Sequence, residues 1–448
     1  MNWPRRIWND VWSSFWFLPS VIVVACMVFA AVMIEADSMT SDRLLAQWPR
    51  LFGAEATGAQ ALMSTIAGSM MSVVGVTFSV VLVALALASS QYTSRILRNF
   101  IHSRTTQAIL GIFAGNFVYC LIVIRAIRSD DEGAFVPNLA VFMGVVFAIG
   151  SVGVLIFFIH HIASSIQASA IISAVATETI SAIDKLFPQQ LGREPGEDVD
   201  DPMQQTPPER KWRAVSVRES GYIQSVDCEA LLQVARELRT IVRMEHAIGE
   251  FAVEETALVS VALAGPPNRE TVTALQAAFS IYCYRTVEQD AAFGIRQLVD
   301  VALKALSPGV NDVSTAVTCV DYLTAILSRL ANRKIPSPHR YDDGELRVIA
   351  KGPSFEGLLT EACDQIRSSA SGNVAIISRM LGALQTIGSR TTHPGRRRAL
   401  REQLELIAEL AGRTVESSHD RAKIDERLAQ VRSALKTVPV LEPALEPI

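Results

Sequence analysis

The chain has 448 residues, of which 50% are hydrophobic and only 19% charged, against roughly 25% charged in an ordinary soluble domain. Its 41 basic and 45 acidic side chains leave a formal net charge of -4, which excludes a disordered polyelectrolyte and a nucleic-acid-coating tail. Six cysteines are too few for a disulfide scaffold.

The charge is unevenly spread. Residues 1–162 carry nine Arg, no Lys and eight acidic residues, leaving 32 basic and 37 acidic residues for the remaining 286. Long uncharged runs separate these few charges: 24 residues between Asp10 and Glu35, 39 between Glu55 and Arg95, 20 between Arg104 and Arg125, and 45 between Glu132 and Glu178. A bilayer core takes about 20 apolar residues of helix, and a charge at its centre costs roughly 2.5–3.5 kcal/mol. The sequence therefore predicts four transmembrane helices at about 15–34, 66–88, 108–127 and 137–160, within a membrane domain of residues 1–162. The first span follows Arg5 and Arg6 as a signal peptide would. Trp3, Trp8, Trp12 and Trp16 crowd its start, however, and Trp favours the membrane interface, so a retained helix is expected.

Orientation follows from the loops. Arg5 and Arg6 precede span 1, and Arg95, Arg98 and Arg104 follow span 2 without an acid. Acidic residues dominate the other two loops. Positive loops stay inside, which predicts a multi-pass protein of the bacterial inner membrane with both termini cytoplasmic. All six cysteines then avoid the outer side.

Beyond the spans, Ile162, Ile166, Ile172, Val175, Ile180 and Ile183 continue a helical pattern, read as a stalk over 163–187. Residues 188–210 hold five prolines among acidic residues and read as a linker. Val215 and Val217, the turn signal Glu219-Ser220-Gly221, and Tyr222-Ile223-Gln224-Ser225-Val226 predict a hairpin. Asp227 suits the N-cap of a helix at 229–239. Further strand is expected over 249–264 and near 346–350. Helices are expected at 272–278, 290–306, 312–331, 355–369, 374–387, 396–416 and 420–435. The fold class is thus an α-helical integral membrane protein with a mostly helical α+β cytosolic C-terminal domain: α+β over 211–350, helices over 351–437, and a proline-containing tail at 438–448.

Several segments resemble a bacterial predicted-membrane-protein family, domain of unknown function 2254. They are Ala88-Ser89-Ser90-Gln91-Tyr92-Thr93-Ser94-Arg95, Gly221-Tyr222-Ile223-Gln224-Ser225-Val226-Asp227, and Arg285-Thr286-Val287-Glu288-Gln289-Asp290. The last is followed by Phe293-Gly294-Ile295-Arg296-Gln297-Leu298-Val299-Asp300 and Ser307-Pro308-Gly309-Val310-Asn311-Asp312. The likeness covers most of the chain in the same order. It departs at Gly249-Glu250-Phe251, which lacks the second glycine of the family's turn. The resemblance implies a four-span inner-membrane protein with a cytosolic domain, and neither a reaction nor a ligand.

Span 2 carries the most pointed pattern. Ser64, Gly68, Ser72, Gly75 and Ser79 recur every three or four residues and share one helical face. Such a stripe serves helix packing in lipid or, around an oligomer axis, lines a pore. Arg95, Arg98 and Arg104 either set topology and touch anionic lipid or form a cytoplasmic mouth for anions. Asn116 reads as an interhelical hydrogen-bonding residue. His160 and His161 are adjacent on a helix and cannot easily share a metal, so no metal site is expected.

In the C-terminal part, Arg285, Glu288, Asp290, Arg296 and Asp300 form a mixed cluster, read as an ion-pair network at an interface. Ser307, Pro308, Gly309, Asn311 and Asp312 read as a corner between two helices. Arg396-Arg397-Arg398 reads as the start of a solvated helix. Nucleotide, nucleophile and metal motifs are absent, so neither enzyme nor cofactor nor nucleic-acid partner is expected. Two functions fit the pattern: a homo-oligomeric channel lined by span 2, or a membrane-anchored sensor or scaffold whose cytosolic domain binds a partner or small ligand.

Overall fold

A computed structural model describes residues 16–39, 55–91, 104–128, 135–186, 211–333, 335 and 337–437. The expected linker 188–210 and the tail 438–448 lie outside the described residues, as do Trp3, Trp8 and Trp12. The chain forms two compact units, Met1–Gln167 and Ala168–Ile448.

The first unit holds α1 (Phe17–Met39), α2 (Ala56–Gln91), α3 (Arg104–Ala126) and α4 (Asn138–Ser165). Each is long and apolar enough to cross a bilayer. The second begins ten residues before its expected span. Its early residues are Ala, Gly, Ser, Thr, Gln, Leu and Met, uncharged but too mixed to be recognised from hydropathy. α3 is the central helix, with α1 and α2 packed along it. Over half of its apolar window is buried, against 6–17% for the other three.

Small residues create that closeness. A Cβ on Gly111 would meet Ile22 and Pro19 of α1 at 2.9 and 3.0 Å, and one on Gly115 would meet the Cys26 Sγ at 2.7 Å. Polar bonds are few and directed. Asn116 Nδ2 donates to Ser151 Oγ at 3.1 Å, joining α3 to α4 as the sequence predicts. Tyr119 Oη donates to the Ala140 carbonyl at 2.8 Å, and its ring meets Phe147 edge-on at 5.2 Å. The start of α4 has Pro137 at its N-cap, which offers no side-chain acceptor. Asp37, at the end of α1, supplies one: its Oδ2 accepts from the Leu139 and Ala140 amides at 2.8 and 3.3 Å.

The second unit begins with α5 (Ala168–Leu186), separated from α4 by Ile166 and Gln167. It is an integral part of this unit, packed between two of its helices, α8 (Ala291–Ala305) and α9 (Val313–Ala331). Gly294 on α8 faces Thr179 so closely that any side chain there would collide with the hydroxyl. Asp184 pairs with Arg329 at 3.0 Å and Arg333 at 2.6 Å. Those partners hold its carboxyl below the ordinary range, chiefly through the Arg329 hydrogen bond.

The expected hairpin does not form. β1 (Lys211–Ser216) pairs with β5 (Ala257–Leu263), whereas β2 (Gly221–Val226) pairs with β4 (Phe251–Ala252) and β6 (Phe279–Tyr282). The turn signal leads from one sheet into another. Val217 bonds across to Thr256 and Glu255, so the turn locks onto the β4–β5 connection. The larger sheet has the order β1-β5-β3-β8-β7, with β3 (Val242–Met244), β7 (His339–Asp342) and β8 (Glu345–Ile349). The smaller has the order β4-β2-β6. Their shared core includes Val215, Ile223, Val226, Val242, Val259, Val261 and Val348, with Leu231 of α6 (Cys228–Glu237) and Leu275 of α7 (Arg269–Ala277). Burying an aliphatic side chain of this size contributes about 1.5–3 kcal/mol.

The remaining helices are α10 (Phe355–Ser369), α11 (Val374–Gly388), α12 (Pro394–Thr414) and α13 (Ser418–Lys436). The reading of Arg396 and Arg397 as solvated is corrected here. Arg396 donates to the Leu330, Ala331 and Arg333 carbonyls and lies over Phe355. Arg397 is 4% exposed and donates to the Gly388, Thr391, Ala434, Leu435 and Thr437 carbonyls. All but the Thr391 carbonyl lie at the ends of α11 and α13, where helix carbonyls lack partners. Only Arg398 faces solvent, with 75% of its side chain exposed.

Candidate functional site

On α2 the protomer buries one side and leaves the other bare. Ala59, Met63, Ala67, Met70, Thr77 and Ala84 face the bundle. Ser64, Gly68, Ser72, Gly75 and Ser79 are all exposed. A Cβ built on Gly68 or Gly75 meets nothing within 4 Å. Helix-packing glycines inside the bundle behave oppositely, as Gly111 and Gly115 do. The stripe is therefore not used within the protomer.

Two of its three hydroxyls are satisfied locally. Ser72 Oγ donates to the Gly68 carbonyl at 3.1 Å and Ser79 Oγ to the Gly75 carbonyl at 2.9 Å. This pattern removes the cost of an orphan donor in lipid while leaving each oxygen's lone pairs outward. Beside the lower stripe lies a cleft of about 520 Å³, lined by Ser72, Gly75, Ser79, Val76 and Val80 of α2 and by Ile162 and Ile166. Most of these walls are apolar.

Of the expected mouth, Arg95 and Arg98 lie outside the described residues. Arg104 is the first residue of α3. No group of three metal-ligating side chains occurs among the described residues.

In the second unit, the expected five-residue cluster resolves into two pairs. Arg285 Nε donates to Asp290 Oδ2 at 2.8 Å, and Asp290 Oδ1 caps α8 at the Phe293 amide. Gly249, at φ +84°, presses its Cα onto this pair, where a side chain would clash with the Asp290 carboxylate and Arg285 guanidinium. Burial raises the Asp290 pKa despite the guanidinium beside it. The second pair joins Arg296 to Asp300 at 2.9 Å, with Glu361 of α10 at 3.2 Å. Glu288 belongs to neither. These pairs tie α8 to the small sheet and to α10.

Ser307, Pro308, Gly309, Asn311 and Asp312 form the α8–α9 corner. Asp312 caps α9 at Thr315, which lowers its pKa. Asn311 takes φ +50°, and the Asp312 amide returns to the Ala305 carbonyl at 2.8 Å. The corner is separate from the two ion pairs.

A family model described as "Predicted membrane protein (DUF2254)" matches residues 12–386. The chain belongs to this family. An uncharacterized protein of Mycobacterium bovis is 30% identical over 454 residues, spanning 99% of this chain and 85% of the relative. An uncharacterized protein of Mycobacterium tuberculosis matches to the same extent. No solved structure matches the chain. The DUF2254 segment Gly221-Tyr222-Ile223-Gln224-Ser225-Val226-Asp227 meets the Arg285–Asp290 segment and the residue before it: Gln289 Oε1 accepts from the Val226 amide at 3.0 Å, and Gln224 Nε2 donates to the Tyr284 carbonyl at 2.8 Å.

Sequence reasoning missed three features of this DUF2254 protein. Asp37 carries no local signal beyond its charge, and its role at the proline-headed start of α4 emerges only once α1 and α4 pack. Gly294 sat inside a helical pattern, where a glycine costs stability and so signals close approach. An outward aromatic row, Phe251, Tyr222, Tyr282 and Tyr284, required strand pairings that no local pattern provides.

Proposed function

We propose that this protein is a homo-oligomeric four-span protein of the bacterial inner membrane, in which α2 of each copy faces a shared axis and lines a narrow pore. One observation carries the reading: the small-residue face of α2 is bare on the protomer while its opposite face is packed. Ser64 to Ser79 covers about 22 Å of helix, well inside an apolar core of about 30 Å. Small residues allow close approach of helices in lipid, and outward hydroxyl oxygens offer ligands to a permeating ion. The apolar walls beside Ser72 and Ser79 suit a constriction that closes by dewetting.

Chemistry supports four spans over five. The fifth helix long and apolar enough, Val313–Ala331, has a mean hydropathy of only 1.2 against 2.0–2.7 for the others. It carries Asp321 and Arg329, paired with Arg379 and Asp184, and is a core helix of the second unit. The arginine-rich ends of spans support a cytoplasmic position for both termini and the C-terminal unit. Arg95, Arg98 and Arg104 then form the inner mouth. The reading involves no catalytic step.

The test is flux through liposomes holding the purified protein, measured separately for potassium and chloride. Ser72→Cys and Ser79→Cys are expected to react with water-soluble thiol reagents, and Ser72→Trp is expected to abolish flux. Protection of both cysteines beside reactive loop controls, or a strict monomer in lipid, overturns the pore.

A further inference from the structure

The small sheet β4-β2-β6 has one buried and one outward face. Ile223, Ala252, Phe279 and Ile281 point into the core. On the other face Tyr222 is the cross-strand partner of both Phe251 and Tyr282. The Tyr222 and Phe251 rings meet edge-on at 5.1 Å, and Tyr282 lies 6.1 Å from Tyr284. A solvated sheet face normally alternates to polar residues. Here three aromatic side chains stand in one line across three strands. Phe251 is 50% exposed, Tyr284 36%, and Val253, just beyond Phe251, 50%.

The charge around this row is mostly acidic, three carboxylates against one guanidinium. The turn between β1 and β2 carries Arg218 and Glu219, and the turn after β4 carries Glu254 and Glu255, all exposed. The Glu254 amide donates to Ser220 Oγ at 2.8 Å, which joins the two turns into one acidic tip. Nucleic acid and anionic lipid are repelled by such a tip. A cationic partner is attracted.

Spacing narrows the partner further. Adjacent strands lie about 4.8 Å apart, so the backbone positions of Phe251 and Tyr282, on the two outer strands, stand roughly 10 Å apart. A polyproline II helix repeats every three residues, or about 9 Å. Two prolines three residues apart therefore match Phe251 and Tyr282, with Tyr222 filling the space between. Rigid rings on a sheet and a ligand already extended both lose little conformational freedom on binding. We propose that the outer face of β4-β2-β6 docks an extended, proline-containing peptide of a partner protein, with basic residues flanking its prolines to meet Glu219, Glu254 and Glu255. This goes beyond the pore and does not depend on it.

The test uses the full-length protein in lipid nanodiscs. The probes are two fluorescein-labelled peptides with a proline at every third position, with two arginines at the amino or the carboxyl end. Saturable anisotropy is expected for at least one, weakened at least tenfold in Tyr222→Ala and severalfold in the Glu254→Lys, Glu255→Lys double variant. Phe251→Ser, at a half-exposed site, is the second variant should Tyr222→Ala lower the melting temperature. No saturable binding of either peptide overturns the proposal, as does undiminished binding by both ring variants. Loss of self-association in Phe251→Ser, without peptide binding to the parent protein, overturns it in favour of a second copy as occupant.

Discussion

The two units solve the same problem, ending a helix, by opposite means. In the C-terminal unit every helix from α6 to α13 is capped by the residue just before it: Asp227, Asn268, Asp290, Asp312, Ser354, Asn373, His393 and Ser417. In the membrane unit, α4 starts behind Pro137 and borrows Asp37, a hundred residues earlier. Water forgives an uncapped amide and lipid does not. Local caps let helices of the second unit form before they pack. The remote cap makes the start of α4 conditional on α1.

Substitutions can break this comparison. The largest effect is expected at Arg397, a side chain that closes two helix ends in the C-terminal unit from a distance. Arg397→Ala leaves several buried carbonyls unpaired and is expected to cost at least about 3 kcal/mol. Arg398→Ala, three-quarters exposed, is expected to stay within about 0.5 kcal/mol. Thermal unfolding of the purified protein checks both, and equal shifts for the two would contradict the assigned role.

Asp37→Ala removes the borrowed cap and is expected to cost about 1–2 kcal/mol. Asp37→Asn keeps an acceptor and is expected to recover most of that. A melt in nanodiscs followed by circular dichroism separates the two; an Ala variant as stable as the parent would mean that α4 needs no partner from α1.

The smallest effect concerns pH. Asp184 titrates below the ordinary carboxylate range because Arg329 and Arg333 hold its charged form. Its contribution is therefore full above about pH 4 and disappears as pH falls through the lowered value. Part of the pair is solvent-exposed, so less than about 1 kcal/mol is expected. Asp184→Asn is expected to be less stable at neutral pH and to lose less on acidification. Parallel acid curves for the two proteins would show that the pair does not stabilise the docking of α5.

The legibility of this molecule in its sequence follows the same division. Membrane helices announce themselves because lipid expels charge from long windows, and α1, α3 and α4 lie within a few residues of their expected places. Asn116 was readable as an interhelical donor because a mid-membrane amide has few alternatives. Strand pairing was not readable. β3 has three residues and β4 two, too few to show alternation, and the Glu219-Ser220-Gly221 turn points equally well to a partner in either sheet. Arg397 was misread because a run of three arginines looks solvated. Its burial depends on carbonyls of Ala434 and Leu435, nearly forty residues away. The stripe on α2 was legible as a face, yet its exposure emerged only when the other face was seen to pack.

The placement of α3 bears on biogenesis. Its Asn116, Gln107 and Thr106 are buried, and its glycines fit only against a neighbour. It is the least self-sufficient of the four helices of the first unit, and it is synthesised after α1 and α2, whose surfaces accept it. α4 follows and receives the Asp37 cap last. The order of the chain thus delivers each dependent helix to partners already present in the bilayer.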